Sequence, residues 1–148
     1  MKTSGLITSL LVLFSVAKVF SADLSSQNSN SVQNACGELL NIKCFAFGGV
    51  GYAGTTSKGE LAFRSVLASS NALELFETIL SKGTDEAKLY ALCGIRSLHR
   101  ESFDAAAKKL RAADPKVNTM SGCLATEEKA SAVIRRIADG AYDGFGQR

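Results

Sequence analysis

The chain has one histidine, one proline, no tryptophan and no C-x-x-C pair among its 148 residues. With a single histidine, any imidazole general base has to be His99. With that one histidine and no C-x-x-C pair, the usual zinc-ligand spacing is absent. Neither a metal nor any other cofactor is therefore expected. The chain also lacks an N-x-S/T sequon.

Long apolar runs are equally scarce. The longest, Leu6 to Ala17, is interrupted by Thr8, Ser9 and Ser15. A bilayer span takes about 20 residues, so stable membrane insertion is not expected. The run follows the charged start Met1-Lys2 and is ended by Lys18. That is the pattern of a secretory signal peptide. Val19 and Ser21 occupy the −3 and −1 positions of a cleavage after Ser21, which makes residues 1–21 the signal; a cut after Ala22 would put Phe20 at −3. No cysteine follows directly, so nothing suggests a lipoprotein. The expected location is secreted or periplasmic.

Clusters of one charge sign are missing too. The formal net charge is +3, from 17 basic and 14 acidic residues. Removing Lys2 and Lys18 with the signal leaves 15 basic against 14 acidic residues, a net charge near +1. The densest basic pieces, Lys108-Lys109-Arg111 and Arg135-Arg136, fall on the solvated faces of expected helices. A near-neutral chain with scattered cations has no footprint for nucleic acid.

The four cysteines are what the chain does have. Export implies an oxidising compartment, and Cys36, Cys44, Cys93 and Cys123 are an even set, so two disulfides are expected. A helix unbroken from Val32 to Phe45 would hold Cys36 and Cys44 about 12 Å apart, beyond the ~7 Å that a disulfide tolerates between Cα atoms. The pairs would then cross to the later part of the chain. A break before Cys44 would permit the local bridge.

After a polar lead-in at residues 22–31, the sequence reads as helices in one domain over residues 32–148. The central stretch runs from Asn71 to Leu98. Leu73, Phe76 and Leu80 recur on one helical face. Gly83 stops that helix and Thr84 caps the next, with Asp85 and Glu86 in its first turn. From Leu89 to Leu98 the second helix is apolar nearly all round, the mark of a central helix. Ser57-Lys58-Gly59-Glu60 is a capping box opening a helix to about Ser69. Phe103, Ala106, Ala107 and Leu110 form one amphipathic stripe, ended at Asp114-Pro115. Lys116 to Ala125 has no helical period and reads as an extended segment across the bundle. Thr126 caps a last helix with the core stripe Ala130, Val133, Ile134 and Ile137. The expected fold is all-α: about six helices in one compact bundle with disulfides.

Short helix pairs joined by Gly-Thr-Asp and followed by DEAKLYALCGI resemble a HEAT-type helical repeat over roughly Leu61 to Leu110. The resemblance is carried by Leu75, Leu80, Asp85, Leu89, Ala91 and Leu92, without the usual proline after Asp85. It implies a binding surface rather than a chemistry.

Four glycines lie in the seven residues from Gly48 to Gly54. Gly49, Gly51 and Gly54 fit G-x-G-x-x-G. A dinucleotide site also needs a strand before the motif and a helix opening inside it, and here the helix starts only after Gly54. The segment is instead the expected contact loop: Gly49, Gly51, Tyr52 and Gly54, joined by Phe145 from the glycine-rich tail. Cys93 and His99 lie six residues apart on one helix and do not face each other, so no catalytic residue is assigned. These features describe an exported, non-enzymatic binding module for a protein partner, inhibitor- or immunity-like. The alternatives are a small exported hydrolase using His99 and a structural component of an envelope or matrix.

Overall fold

The computed structural model describes residues 29–146. The expected signal peptide and most of the polar lead-in lie outside them. The compact unit that starts at Val32 is the subject here.

Helix α1 covers residues 29–40 of the described chain. It stops short of the expected Phe45, and residues 42–47 continue in extended form. A small hairpin follows, β1 (Gly49–Val50) and β2 (Thr55–Thr56), then α2 (Lys58–Leu67), α3 (Ala72–Lys82), α4 (Asp85–Leu98) and α5 (Phe103–Ala113). A second antiparallel hairpin, β3 (Lys116–Ser121) and β4 (Leu124–Lys129), precedes α6 (Ala130–Ala138). Among the described residues no helix is long and apolar enough to cross a membrane.

The fold is therefore mixed, not all-α: among the described residues six α-helices carry two small antiparallel sheets. The segment without helical period is indeed extended, but it does not end at Ala125. Val117 and Thr119 point inward at period two, the chain turns at Gly122 with φ +56°, and Thr126, Glu127 and Glu128 return as strand. Two glutamates after a threonine look like a helix start. Here their register opposite Asn118 and Val117 makes them the outer strand of a hairpin. The cap of α6 comes from a distance instead. The Asp114 carboxylate accepts the Ser131 N–H at 2.9 Å, which also holds its carboxyl below the usual range.

The disulfide expectation is overturned as well. All four cysteines are free: Cys36 and Cys93 are buried, Cys44 is half-buried, and Cys123 sits exposed at the β3–β4 turn. Their thiols are not at bonding distance. An even count says nothing about where helices and hairpins place each thiol. Burial pushes Cys36, Cys44 and above all Cys93 up from the ordinary thiol value.

The core forms around α4, as the unbroken apolar run foretold. Every residue from Glu86 to Arg96 except Lys88 is buried. Against α4 pack Phe76 and Ile79 of α3, Phe103, Ala107 and Leu110 of α5, and the expected stripe of α6. Gly94 brings α3 and α4 together, because a Cβ there would overlap the Phe76 ring. Gly83 ends α3 with φ −77°, outside the left-handed region that helix-stopping glycines commonly adopt. Its small size is what matters: an added Cβ would come within 2.7 Å of Ala87 Cβ. Thr84 caps α4 by accepting from the Ala87 N–H, and donates to the Ile42 carbonyl after α1.

Candidate functional site

Tyr90 fixes the geometry from below. Its ring is fully buried, and its hydroxyl donates to the Ala46 carbonyl (2.7 Å) while accepting the Ala46 N–H (2.9 Å). Burial pushes that phenol up to about 12. Ala46 separates Phe45 from Phe47, so one buried hydroxyl sets the position of two aromatic rings. Their centroids lie 4.8 and 5.0 Å from the Tyr90 ring. Phe45 is also stitched into the sheet: its N–H donates to the Asn118 carbonyl and its carbonyl accepts from Met120 N–H.

The glycine hairpin rises from Phe47. Gly48, Gly51 and Gly54 have positive φ of 83°, 69° and 60°. Gly49 is needed for closeness, since a Cβ would lie 2.9 Å from the Gly54 carbonyl oxygen. The first arm of the hairpin is tied down below and above. The Gly48 N–H donates to the Glu60 carboxylate at 2.7 Å, and the Gly51 N–H donates to the Gly122 carbonyl at 2.9 Å. Glu60, 1% exposed, thus serves the hairpin and Arg64 rather than closing the expected capping box. Ser57 supplies the half of that box that forms, accepting from Glu60 N–H. At the turn, Tyr52 is 103% exposed, so it rests on nothing among the described residues.

Phe145 has a different role from Tyr52. It stacks on Phe47 at 5.2 Å and 28°, and its ring lies over Gly48. Its carbonyl accepts from Arg64 Nε at 3.1 Å, and Asp143 clamps the same tail onto buried Arg96. Phe145 therefore braces the hairpin base.

Next to the hairpin lies a groove of about 590 Å³ that the sequence reading did not anticipate. Phe45, Phe47 and Tyr142 form its aromatic floor, and β3, β4 and α6 supply a polar wall. There the Arg136 guanidinium donates to both oxygens of Glu128, at 2.8 and 2.7 Å, and its Nε–H donates to the Tyr142 hydroxyl at 3.2 Å. Thr119 donates to Glu128 at 2.7 Å and meets the Thr126 hydroxyl at 3.0 Å. Reading Glu128 as a helix start and Arg136 as a solvated helix face hid this pairing. The segment LATEEK does not alternate, so no local cue marked it as a strand.

The bonds from Arg136 hold the Glu128 carboxyl below its ordinary value of 4.5. A depressed folded pKa means that the pair stabilises the fold fully above about pH 4.5 and loses this contribution as the pH falls below it. Both side chains are partly exposed, so the expected contribution is about 0.5–1 kcal/mol. Thermal melts from about pH 6 to pH 3 should therefore be less steeply acid-sensitive in Glu128→Gln than in the unaltered protein. Parallel curves would remove the pair from the stability account.

His99 stands elsewhere, on the exposed turn between α4 and α5. Its Nδ1 lies 2.6 Å from Ser102 Oγ and its Nε2 lies 3.2 Å from Glu101. The order acid, imidazole, hydroxyl suits nucleophilic chemistry. None of the three lines the groove over Phe45 and Phe47. Cys93 is buried four residues deep in the core run of α4, and its thiol is held neutral by that burial.

No family model, no curated protein and no solved structure matches this chain.

Proposed function

We propose that the protein is an exported, non-enzymatic binding module for a protein partner, inhibitor- or immunity-like, with the Tyr52 hairpin as its contact tip. One observation carries this reading: a fully exposed tyrosine on a turn whose first arm is bonded to Glu60 at Gly48 and to Gly122 at Gly51. Tyrosine gives a large amphipathic contact area at low entropic cost, and a rigid mount lowers that cost further. The contact residues Gly49, Gly51 and Gly54 act by shaping the turn, and Phe145 acts by bracing it. Export rests on the N-terminal pattern of charge and apolar run. The helix pair α3–α4 supports the HEAT-like resemblance, which itself suggests binding rather than chemistry. The reading involves neither nucleic acid nor a lasting place in the membrane.

Tyr52→Ala should weaken the partner complex by about 5- to 30-fold, the range of a peripheral-to-central aromatic contact. Its thermal midpoint should stay unchanged, because the ring packs against nothing. Unaltered affinity would reject this placement of the contact.

The short His99–Ser102 contact supports a second reading, a small exported hydrolase. His99→Gln removes its only imidazole. Any hydrolytic activity that persists at full strength in that variant dismisses it.

A further inference from the structure

We infer that the groove between the β3–β4 hairpin and α6 takes an uncharged carbonyl next to an apolar side chain, as an extended segment of a protein partner presents. The inference rests on the binding-module reading and adds the chemistry that the partner must offer.

The wall keeps hydrogen-bond donors in reserve. A guanidinium has five N–H donors. Arg136 directs one at Tyr142 and one at each Glu128 oxygen, which leaves two. The Tyr142 oxygen accepts from Arg136, so its own O–H is undirected. Glu128 already accepts from Arg136 twice and from Thr119 once. The wall thus offers three unused donors beside the Ser121 and Thr126 hydroxyls, and a carbonyl oxygen finds a donor there.

Charge decides which acceptor. Glu128 and Arg136 cancel at the point where the ligand would sit. A carboxylate or phosphate would bring a net charge, with its desolvation cost, to a point where the two cancel, whereas a carbonyl dipole brings none. The floor decides the rest: Phe45, Phe47 and Met120 suit an aliphatic or aromatic side chain. The volume, about 590 Å³, is that of a pocket for one or two residues.

The test is a titration of the ¹⁵N-labelled full chain with N-acetyl-L-phenylalaninamide and with N-acetyl-L-phenylalanine, its anionic counterpart. The amide should shift resonances of Thr119 to Thr126, Arg136 and Tyr142 saturably, and the acid should bind more weakly by at least about threefold. Tyr142→Phe keeps the ring on the floor and removes one donor, so it should weaken the amide by roughly three- to tenfold. Tighter binding of the acid, shifts centred instead on a second groove, between α3 and α5, lined by Leu80, Ala106 and Leu110, or an unchanged affinity in Tyr142→Phe would each overturn the assignment. Groove binding of the amide, together with a Tyr52→Ala variant of full partner affinity, would reject the Tyr52 contact and leave the groove assignment standing.

Discussion

Gly94→Ala is expected to destabilise the protein by about 2 kcal/mol, although alanine is the better helix former. In an exposed helix the exchange gains about 1 kcal/mol. At Gly94 the new methyl would overlap the Phe76 ring. That ring is fully buried and backed by Phe63 at 5.5 Å, so it has nowhere to move. Overpacking of this kind costs about 1–3 kcal/mol and occasionally more, and three overlapped ring atoms put Gly94 at or above the upper end. Gly37 is the control. It lies within α1, and a Cβ there would meet nothing within 4 Å. Gly37→Ala should therefore stabilise by about 0.5–1 kcal/mol. Chemical denaturation of both variants checks the pair of signs. A Gly94→Ala protein as stable as the parent would mean that α3 and α4 do not pack as described.

Tyr90 should give the larger loss. Truncation to alanine removes a fully buried ring at the centre of the aromatic cluster, worth about 3–5 kcal/mol. Tyr90→Phe is more informative, since it deletes only the hydroxyl. The Ala46 N–H and carbonyl then lose their partner in the interior, at about 1–3 kcal/mol. The effect should depend on pH in a defined way. The folded phenol is raised from 10 to about 12. Its contribution is complete below about pH 10 and is lost as the pH rises through about 12. The alkaline loss of stability in that window should shrink in Tyr90→Phe, and one late-ionising tyrosine should vanish from its absorbance titration. Gly59 answers to the same ring: a Cβ there would come within 2.7 Å of the Tyr90 ring carbon that bears the hydroxyl.

Much of the helical frame was legible in the sequence because its causes are local. The apolar circumference of α4, the stripes of α5 and α6, and the caps at Ser57 and Thr84 all depend on residues within a turn or two. The candidate site was less legible because its causes are distant. Glu60 reaches Gly48 across 12 residues, Glu86 reaches Asn118 across 32, and Tyr90 reaches Ala46 across 44. Each of these polar groups had an adequate local explanation as a cap or a core residue, and that explanation concealed the long-range one. Glu128 is the clearest case. A threonine followed by two glutamates favours a helix start, yet the partners Val117 and Arg136 hold it in strand. The cysteines failed for a related reason, since parity and compartment carry no information about separation.

The central claim is that the Tyr52 hairpin is the contact tip of a binding module. The most direct test compares immobilised parent protein with Tyr52→Ala for capture from the culture medium and envelope fractions of the source cells, with recovered proteins quantified by mass spectrometry. The account predicts at least one protein enriched by the parent and depleted several-fold with Tyr52→Ala, while the two baits melt at the same temperature. Equal capture by both baits would contradict it.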